Sequence, residues 1–219
     1  MILQINTPNC GIYSYEKVEF VLGEKTINRE IAKENLLKFR KCLNDANITF
    51  GLIYGTLLGA IREKNFIEHD EDTDVFVLNE DRDKILDILF ELKKVGLVVG
   101  RYEEDMISFI NDGEYIDIYF FKDTFFGKKT SNGLVIESKY LTELKNIDFL
   151  GKQFLVPKQS EELLAKIYGE DWMIPMKDNK GYNFGLYRLV KNYIKNNFYP
   201  LFKIISRIKK LFNIDRSVN

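Results

Sequence analysis

The sequence predicts an α+β fold, in which helices flank a mixed sheet and a helical tail follows. Segments with the three- and four-residue hydrophobic steps of amphipathic helices alternate with short segments that have the two-residue alternation of strands. Hydrophobic residues make up 45% and charged residues 30% of the 219 residues, which excludes a disordered chain. No internal repeat or low-complexity linker interrupts the chain. We therefore expect one domain at residues 1–187 and a helical tail at 188–219.

The N-terminal half alternates helices with strands. The predicted elements are a helix at 28–47, a strand at 49–54, a helix at 55–63, a strand at 72–78 and a helix near 81–94. The first helix repeats hydrophobic residues from Ala32 to Ala46 and has Glu30 near its start. Gly55 and Thr56 open the second helix, and the second strand shows a two-residue alternation.

The C-terminal half contains more strands. The predicted elements are strands at 97–102, 106–110 and 114–121, a hairpin at 125–140, a short strand at 151–156 and a helix from residue 160. Gly113 marks a turn between two strands, and residues 131–133 form the tip of the hairpin. Pro157 ends the short strand, and Gly169 and Pro175 interrupt the helix.

Histidine and cysteine are scarce. Only His69 supplies an imidazole, which excludes zinc sites with several imidazoles and most nucleophile-histidine machinery. Cys10 and Cys42 form no CxxC pair, which indicates a reducing compartment. The longest uncharged run, 46–61, has 16 residues, fewer than the roughly 20 that cross a bilayer, and residues 1–17 contain no secretory apolar core. We therefore expect a cytoplasmic protein whose chemistry depends on carboxylates, hydroxyls and hard cations.

Two neighbouring motifs indicate chemistry at a phosphate. Gly55 and Thr56 stand at a helix N-terminus, where free amide groups, a glycine and a hydroxyl can surround phosphate oxygens. Asp72 and Asp74 lie two residues apart on a strand, so both carboxylates face one side and can share a divalent cation.

A third acid, Asp117, lies in an otherwise apolar strand. A lone buried carboxylate is unfavourable, so we expect it to meet a cation or to accept a proton; the alternative is a structural acid bonded to Tyr or Lys. Together, Asp72, Asp74 and Asp117 predict metal-assisted transfer at phosphorus, with Mg²⁺ or Mn²⁺ as the cation. Arg62 is interpreted as a phosphate clamp or a surface partner of a glutamate, and His69 as a substrate contact or a plain loop residue.

The ordered set of motifs resembles one family. The motifs are 55–62, Phe66-Ile67, the acids Asp70, Asp72 and Asp74, the segment 116–118, the segment 154–157, and 168–173 with Pro175. They resemble the LicD-type phosphocholine transferases, a family that includes the fukutin-related ribitol-phosphate transferases and has the nucleotidyltransferase fold. The resemblance covers about residues 32–175. Two positions depart from the family pattern, which has Trp at His69 and Asp at Glu71.

The resemblance implies a nucleotidyltransferase-like sheet and a Mg²⁺-dependent transfer reaction. The group transferred is a phospho-alcohol such as phosphocholine, the donor is CDP-linked, and the acceptor is a sugar hydroxyl of a cell-surface glycan or its lipid-linked precursor. No nucleic acid is expected as a partner. The implied roles are donor binding by Gly55, Thr56, Arg62 and His69, metal binding by Asp72 and Asp74, and completion of the site as ligand or base by Asp117.

The residues alone are compatible with three other functions. The enzyme can transfer the nucleotide itself and release pyrophosphate. A nucleotide-sugar glycosyltransferase also uses an Asp-x-Asp motif, but it normally has a full nucleotide-binding unit before that motif, and only 71 residues precede Asp72. A non-enzymatic assembly module would be expected to have lost an acid, and all three acids are present.

The segment 168–183 combines aromatic side chains with lysines, glycines and a proline. We expect Tyr168, Trp172 and Lys177 to border the site and to select the alcohol, since an aromatic wall can hold choline through cation–π contact. The alternative is that Tyr168 and Trp172 cap the core.

The tail is basic. Residues 188–219 carry a net charge of +7, whereas residues 1–187 carry −8. Residues 200–214 combine a hydrophobic stripe with a basic stripe, and Pro200 suits the start of a helix. They predict a helix on an anionic membrane surface, which would place the enzyme peripherally on the inner face of the membrane; the alternative is docking onto the acidic body or another subunit.

Overall fold

The computed structural model describes residues 1–19 and 25–175. The elements are β1 (Ile2–Thr7), β2 (Gly11–Glu16), α1 (Arg29–Asp45), β3 (Gly51–Leu52), α2 (Tyr54–Arg62), β4 (Thr73–Leu78), α3 (Arg82–Asp87), α4 (Leu89–Lys94), β5 (Val98–Tyr102), β6 (Met106–Asn111), β7 (Glu114–Asp123), β8 (Lys128–Ser131), β9 (Leu134–Glu137), α5 (Lys139–Thr142), β10 (Leu144–Phe149), β11 (Lys152–Pro157) and α6 (Ser160–Tyr168). Short 3₁₀ turns lie at Asn79–Asp81 and Phe125–Gly127. Within this part of the chain no helix has the length and hydrophobicity to cross a bilayer. The predicted tail, its boundary at 187 and Lys177 lie outside the described residues.

A mixed sheet forms the centre of the fold. Five of its seven strands lie in the order β3-β4-β7-β6-β5, and β8 pairs with both β7 and β9. The pair β4–β7 is parallel, and the other pairs are antiparallel. β1–β2 and β10–β11 form two separate antiparallel hairpins. Helices α1, α2 and α4 contact this sheet, which confirms the predicted α+β class.

Helix α1 covers one face of the sheet. Asn28 precedes it, and the Asn28 Oδ1 accepts a hydrogen bond from the Ile31 amide at 3.3 Å, which satisfies one free donor of the first turn. The ring of Phe39 on α1 lies 6.2 Å from that of Phe109 on β6, measured between centroids. Successive strand residues face opposite sides, so the neighbouring Ser108 lies on the face away from α1.

Two tight turns set the register of the antiparallel strands. Asp112 and Gly113 have φ of 49° and 78°, and Asn132 and Gly133 have φ of 45° and 94°. Left-handed backbone at both central residues is typical of two-residue hairpin turns, and Asp-Gly and Asn-Gly are the pairs that adopt it most readily. The predicted turns at Gly113 and at 131–133 are therefore confirmed.

Several elements differ from the prediction. The hairpin β1–β2 and the strand β10 were not predicted, and β10 was missed because it leaves polar residues such as Lys145 and Asn146 exposed. The strand predicted at 49–54 is reduced to Gly51–Leu52, since α2 already begins at Tyr54. The helix predicted near 81–94 is divided at Ile88, whose φ of −94° and ψ of 8° depart from helical values.

Candidate active site

A row of polar side chains crosses four strands of the sheet. Asp74 on β4 is paired with Asp117 on β7, Asp117 with Ser108 on β6, and Ser108 with Arg101 on β5. Paired residues on neighbouring strands point to the same face, so the row lies on the face away from α1. The structure thus brings together two of the predicted acids and adds Ser108 and Arg101, which were not predicted from the sequence.

Asp74 is fixed by the start of α2. The Gly55 amide donates to Asp74 Oδ2 at 3.1 Å, and the Asp74 amide donates to Thr56 Oγ1 at 2.8 Å. Thr56 is fully buried, and only 6% of Asp74 is exposed. The carboxylate therefore lies where the partial positive charge of a helix N-terminus stabilises an anion. Gly55 and Thr56 hold Asp74 in this structure, and their binding of donor phosphate stays a prediction.

Asp70 packs against the same helix start. A Cβ atom on residue 55 would overlap the Asp70 carboxyl group, so the glycine leaves room for this acid. The Ile27 amide donates to the Asp70 carbonyl oxygen at 2.7 Å, and the Lys25 ammonium lies 3.5 Å from the Glu71 carbonyl oxygen. The backbone of the acidic loop is thereby anchored to the segment that precedes α1.

The carboxylates of this region influence one another. Burial raises the pKa of Asp70 to about 6. Burial also raises the pKa of Asp72 and of Asp74 well above the usual range, and the neighbouring carboxylates add to both shifts. At Asp117 burial again raises the pKa, although the Arg101 guanidinium opposes the shift. Such a cluster is stabilised by a bound cation, since ionisation is otherwise disfavoured by desolvation and repulsion.

Arg101 supplies a positive charge within the row. Its Nη2 donates to Asp117 Oδ2 at 2.7 Å, and its Nε donates to Ser108 Oγ at 3.0 Å. The pairing of β5 with β6 is irregular between Val99 and Arg101, and this shift places Arg101 opposite Ser108. The two-residue turn at 112–113 could have placed Ser108 opposite Asp117 from the sequence, and Gly100 could have marked the irregularity in β5, since a lone glycine inside a strand often marks a bulge.

The donor chemistry of the cluster fits a hard divalent cation. Carboxylate oxygens are the ligands that Mg²⁺ and Mn²⁺ prefer. Asp70 Oδ2 and Asp117 Oδ1 are buried with no hydrogen-bond partner in the described part of the chain, and a buried oxygen of this kind is stabilised by a nearby cation or by a proton that it accepts. Within 1–19 and 25–175, no three His, Cys, Asp or Glu side chains already stand where they could hold one ion together. Arg101 instead occupies one oxygen of Asp117.

The remaining predicted residues lie elsewhere. Arg62, at the end of α2, donates to the Trp172 carbonyl oxygen at 3.0 Å and to Glu63 at 2.7 Å. This contact ties the segment after α6 to α2. His69 is exposed, whereas Tyr168 and Trp172 are half-buried. The predicted roles of Arg62 and His69 in donor binding, and of Tyr168 and Trp172 in alcohol selection, stay predictions.

Replacement of Gly55 by alanine is expected to destabilise the protein by about 1–3 kcal/mol, the usual effect of overpacking. The added methyl group must displace the Asp70 carboxyl group, which is held against α2. Urea unfolding of Gly55→Ala, Asp70→Ala and the double variant measures the effect. Since Asp70→Ala opens the space, the double variant should recover most of the loss; an equal loss in both backgrounds would show that Gly55 is needed for another reason.

The fold and the site together define a domain of the nucleotidyltransferase type, in which a parallel strand pair presents acids beside a Gly-Thr helix start. Residues 47–159 match the model of the family described as LicD/FKTN/FKRP, nucleotidyltransferase domain. The chain belongs to this family, which confirms the resemblance seen in its motifs. The match includes the helix start at Gly55 and the whole row from Asp74 to Arg101.

Similar proteins of known name include a transferase from two primates. Ribitol-5-phosphate transferase FKTN is 30% identical to this chain over 161 residues in Macaca fascicularis and 29% identical over 161 residues in Homo sapiens. Each comparison covers 68% of this chain and 34% of the relative. The chain thus spans about a third of the length of these relatives.

Solved structures in the comparison include an adenylyltransferase and an antibiotic-resistance factor. The lincomycin-bound lincosamide antibiotic adenylyltransferase LnuA is 15% identical with a TM-score of 0.44, and 60% of this chain and 83% of that chain are covered. The antibiotic-resistance factor ANT(2'')-Ia is 12% identical with a TM-score of 0.48, and 87% and 100% of the two chains are covered. Similarity at this level does not address the chemistry of the present chain.

Proposed function

We propose that this chain transfers a phospho-alcohol, such as ribitol phosphate or phosphocholine, from a CDP-linked donor to a sugar hydroxyl of a glycan or its lipid-linked precursor. The buried carboxylate cluster around Asp74, inside a domain of this family, is the observation that carries the proposal. Phosphate oxygens repel carboxylates, so a divalent cation is required between them. Family membership supports transfer of a phospho-alcohol, and the cluster supports dependence on Mg²⁺ or Mn²⁺.

Asp72 and Asp74 are the residues that would hold the cation. When bound, Mg²⁺ neutralises the charge of the donor phosphates and so favours attack at phosphorus. Gly55 and Thr56 keep Asp74 in position through the two hydrogen bonds described above. The start of α2 adds partial positive charge on the same side, where an anionic donor is attracted.

Asp117 is the residue best placed to accept the proton of the acceptor hydroxyl. Arg101 binds its Oδ2, and its Oδ1 has no hydrogen-bond partner in the described residues. In the transfer, the sugar oxygen bonds to the phosphorus of the phospho-alcohol as the bond from that phosphorus to the CMP oxygen breaks. The hydroxyl proton passes to Asp117, and CMP leaves with the electron pair.

A donor panel tests the proposal. The full chain is incubated with CDP-choline, CDP-ribitol and CDP-glycerol, with nucleoside triphosphates and with UDP-sugars, each with Mg²⁺ and a glycan acceptor. Release of CMP from a CDP-alcohol, abolished by EDTA, would support phospho-alcohol transfer. Pyrophosphate from a triphosphate would indicate nucleotidyl transfer, and UDP release would indicate a glycosyltransferase; either result alone would contradict the proposal.

Trp172 offers a test of alcohol selection. If its ring contacts a quaternary ammonium group, Trp172→Ala should lower kcat/KM for CDP-choline about 3- to 30-fold more than for CDP-ribitol, the range expected for a cation–π contact. Trp172→Phe keeps an aromatic ring and serves as the matched control. A uniform loss with every donor, accompanied by a lower Tm, would show that the half-buried ring only packs.

A further inference from the structure

Arg101 and Asp117 form an ion pair within the polar row. The Arg101 side chain is 24% exposed, whereas that of Asp117 is 4% exposed, so the ion pair lies at the inner wall of the site. Its N···O distance is 2.7 Å. Arginine stays protonated in proteins, so this positive charge is present at every physiological pH.

Arg101 is held in a defined orientation. The planar guanidinium donates two hydrogen bonds, one from Nη2 to the Asp117 carboxylate and one from Nε to the Ser108 hydroxyl. Ser108 is fully buried in the middle of the sheet and lies directly opposite both residues in the strand register. Because the guanidinium is planar and rigid, these two hydrogen bonds fix its orientation at a small loss of side-chain entropy. Both partners of Arg101 are buried, so this ion pair differs from the exposed pairs on the protein surface.

A metal ion at Asp117 would have to compete with this guanidinium. Two cations on one carboxylate repel each other, and displacing Arg101 would leave a largely buried charge without its partner, which is strongly unfavourable. The Arg101 charge also acts on Asp72, but its Nη2 and Nε donate to Asp117 and Ser108. Asp74 Oδ2 accepts a hydrogen bond from the Gly55 amide. Asp117 is therefore the acid that forms an ion pair with Arg101. Asp74 lies beside the start of α2, and Asp72 lies just before β4.

We propose that Arg101 is the resident cation of Asp117, so that the divalent cation is held by Asp72 and Asp74 without Asp117. This rests on the metal dependence in the proposed function. Of the two roles expected for Asp117 from the sequence, metal ligand or base, the proposal takes the second. Arg101 is then a positioning residue, which fixes Asp117 through Oδ2 and leaves Oδ1 to face the acceptor hydroxyl.

The decisive variant removes the ion pair without changing the net charge. Arg101→Met/Asp117→Asn loses one charge of each sign, so its effect on a nearby cation is small unless Asp117 is itself a ligand. Mn²⁺ alone is titrated into the full chain, and free Mn²⁺ is measured by electron paramagnetic resonance. We expect the Kd of the double variant to stay within about threefold of the wild type, whereas Asp72→Asn weakens binding more than about tenfold.

A matched control checks the effect of losing an ion pair as such. Lys129→Met/Asp123→Asn removes another pair of the same sheet, with an N···O distance of 2.7 Å, that does not contact Asp117 or Asp74. It should leave Mn²⁺ binding unchanged. A second readout uses wild-type protein and does not depend on any variant folding: the ¹⁵N signal of Arg101 Nε should stay in place, with slow exchange, when Mg²⁺ saturates the site.

The outcomes separate this inference from the proposed function. Mn²⁺ binding more than about threefold weaker in the double variant, or loss of the Arg101 Nε signal on adding Mg²⁺, would overturn the inference and make Asp117 a metal ligand. Wild-type protein that is folded and binds no Mn²⁺ would overturn both. The expected Mn²⁺ pattern without transfer from any CDP-alcohol would refute only the proposed function.

Discussion

Asp74→Asn is expected to lower kcat/KM for phospho-alcohol transfer at least about 10³-fold, which corresponds to about 4 kcal/mol of transition-state stabilisation. The substitution removes the charge that would hold the cation. It keeps an oxygen that can accept from the Gly55 amide, and the bond from the Asp74 amide to Thr56 is unaffected. The fold should therefore survive. Release of CMP with saturating donor and Mg²⁺ gives the rate, and a thermal melt in EDTA gives the stability.

The thermal melt of Asp74→Asn in EDTA tests a second prediction, which concerns the stability of the metal-free protein. Because burial and neighbouring carboxylates raise the pKa of Asp74, removal of this charge should make the metal-free protein more stable at neutral pH. Asp45→Asn is the control, since Asp45 pairs with Lys41 on the exposed side of α1 and should affect neither quantity. An Asp74→Asn protein that keeps more than about a tenth of the wild-type rate would remove Asp74 from the reaction.

The metal-free protein is expected to lose stability as the pH rises from about 4 through about 6. The folded-state pKa of Asp70, about 6, lies above the ordinary value of 3.8, so the folded state binds more protons in this range. The corresponding stability is complete below the unfolded pKa and is lost as the pH rises through the folded pKa. For Asp70 alone the change is on the order of 3 kcal/mol. Asp72 and Asp74 shift in the same direction, which extends the loss to higher pH.

Urea unfolding in EDTA at about pH 5 and about pH 7.5 measures this loss. Mg²⁺ should restore stability at the higher pH, because it binds the folded state only. Asp70→Asn should reduce the pH dependence and serves as the matched variant. The lowered pKa values of Glu137 and Glu162 act in the opposite direction, but both side chains are exposed and their contribution is screened. Rising stability across this range would mean that the carboxylates are not buried as described.

The fold class could be predicted because its signals are local. The hydrophobic repeat of α1, the alternation along β4 and the Asp112-Gly113 turn each arise from a few neighbouring residues. The turn alone sets the register of β6 on β7, so the position of Ser108 opposite Asp117 follows from counting outwards from it. The parallel pairing of Asp74 with Asp117 is different, since it depends on a crossover that no local pattern specifies.

Contacts between distant segments account for what the sequence did not show. The amide groups at the start of α2 were expected to face a phosphate, yet the Gly55 amide already binds Asp74, which arrives from another strand. Arg101 lies opposite Ser108 because β5 is irregular at Gly100. A lone glycine in a strand can mark a bulge, but it does not determine which residues are then paired. The hairpin β1–β2 was missed because Ile2 and Ile12 are 75% and 58% exposed, so hydrophobicity there does not follow burial.

The strand register of the acid row makes the site sensitive to chain length as well as to residue type. One residue inserted in β4 before Asp74 would turn its carboxylate toward the face that α1 covers, even though every residue of the row is still present in the sequence. The same insertion at 103–105, between β5 and β6, leaves Asp117, Asp74 and Ser108 in register, because the 112–113 turn and the β4–β7 pairing set those positions. We therefore expect a change of length between β5 and β6 to preserve the register of these three residues, and a change within the first half of β4 to disrupt it. The number of residues in the first half of β4 can therefore help to separate chains that form this acid row from chains that only contain the same acids.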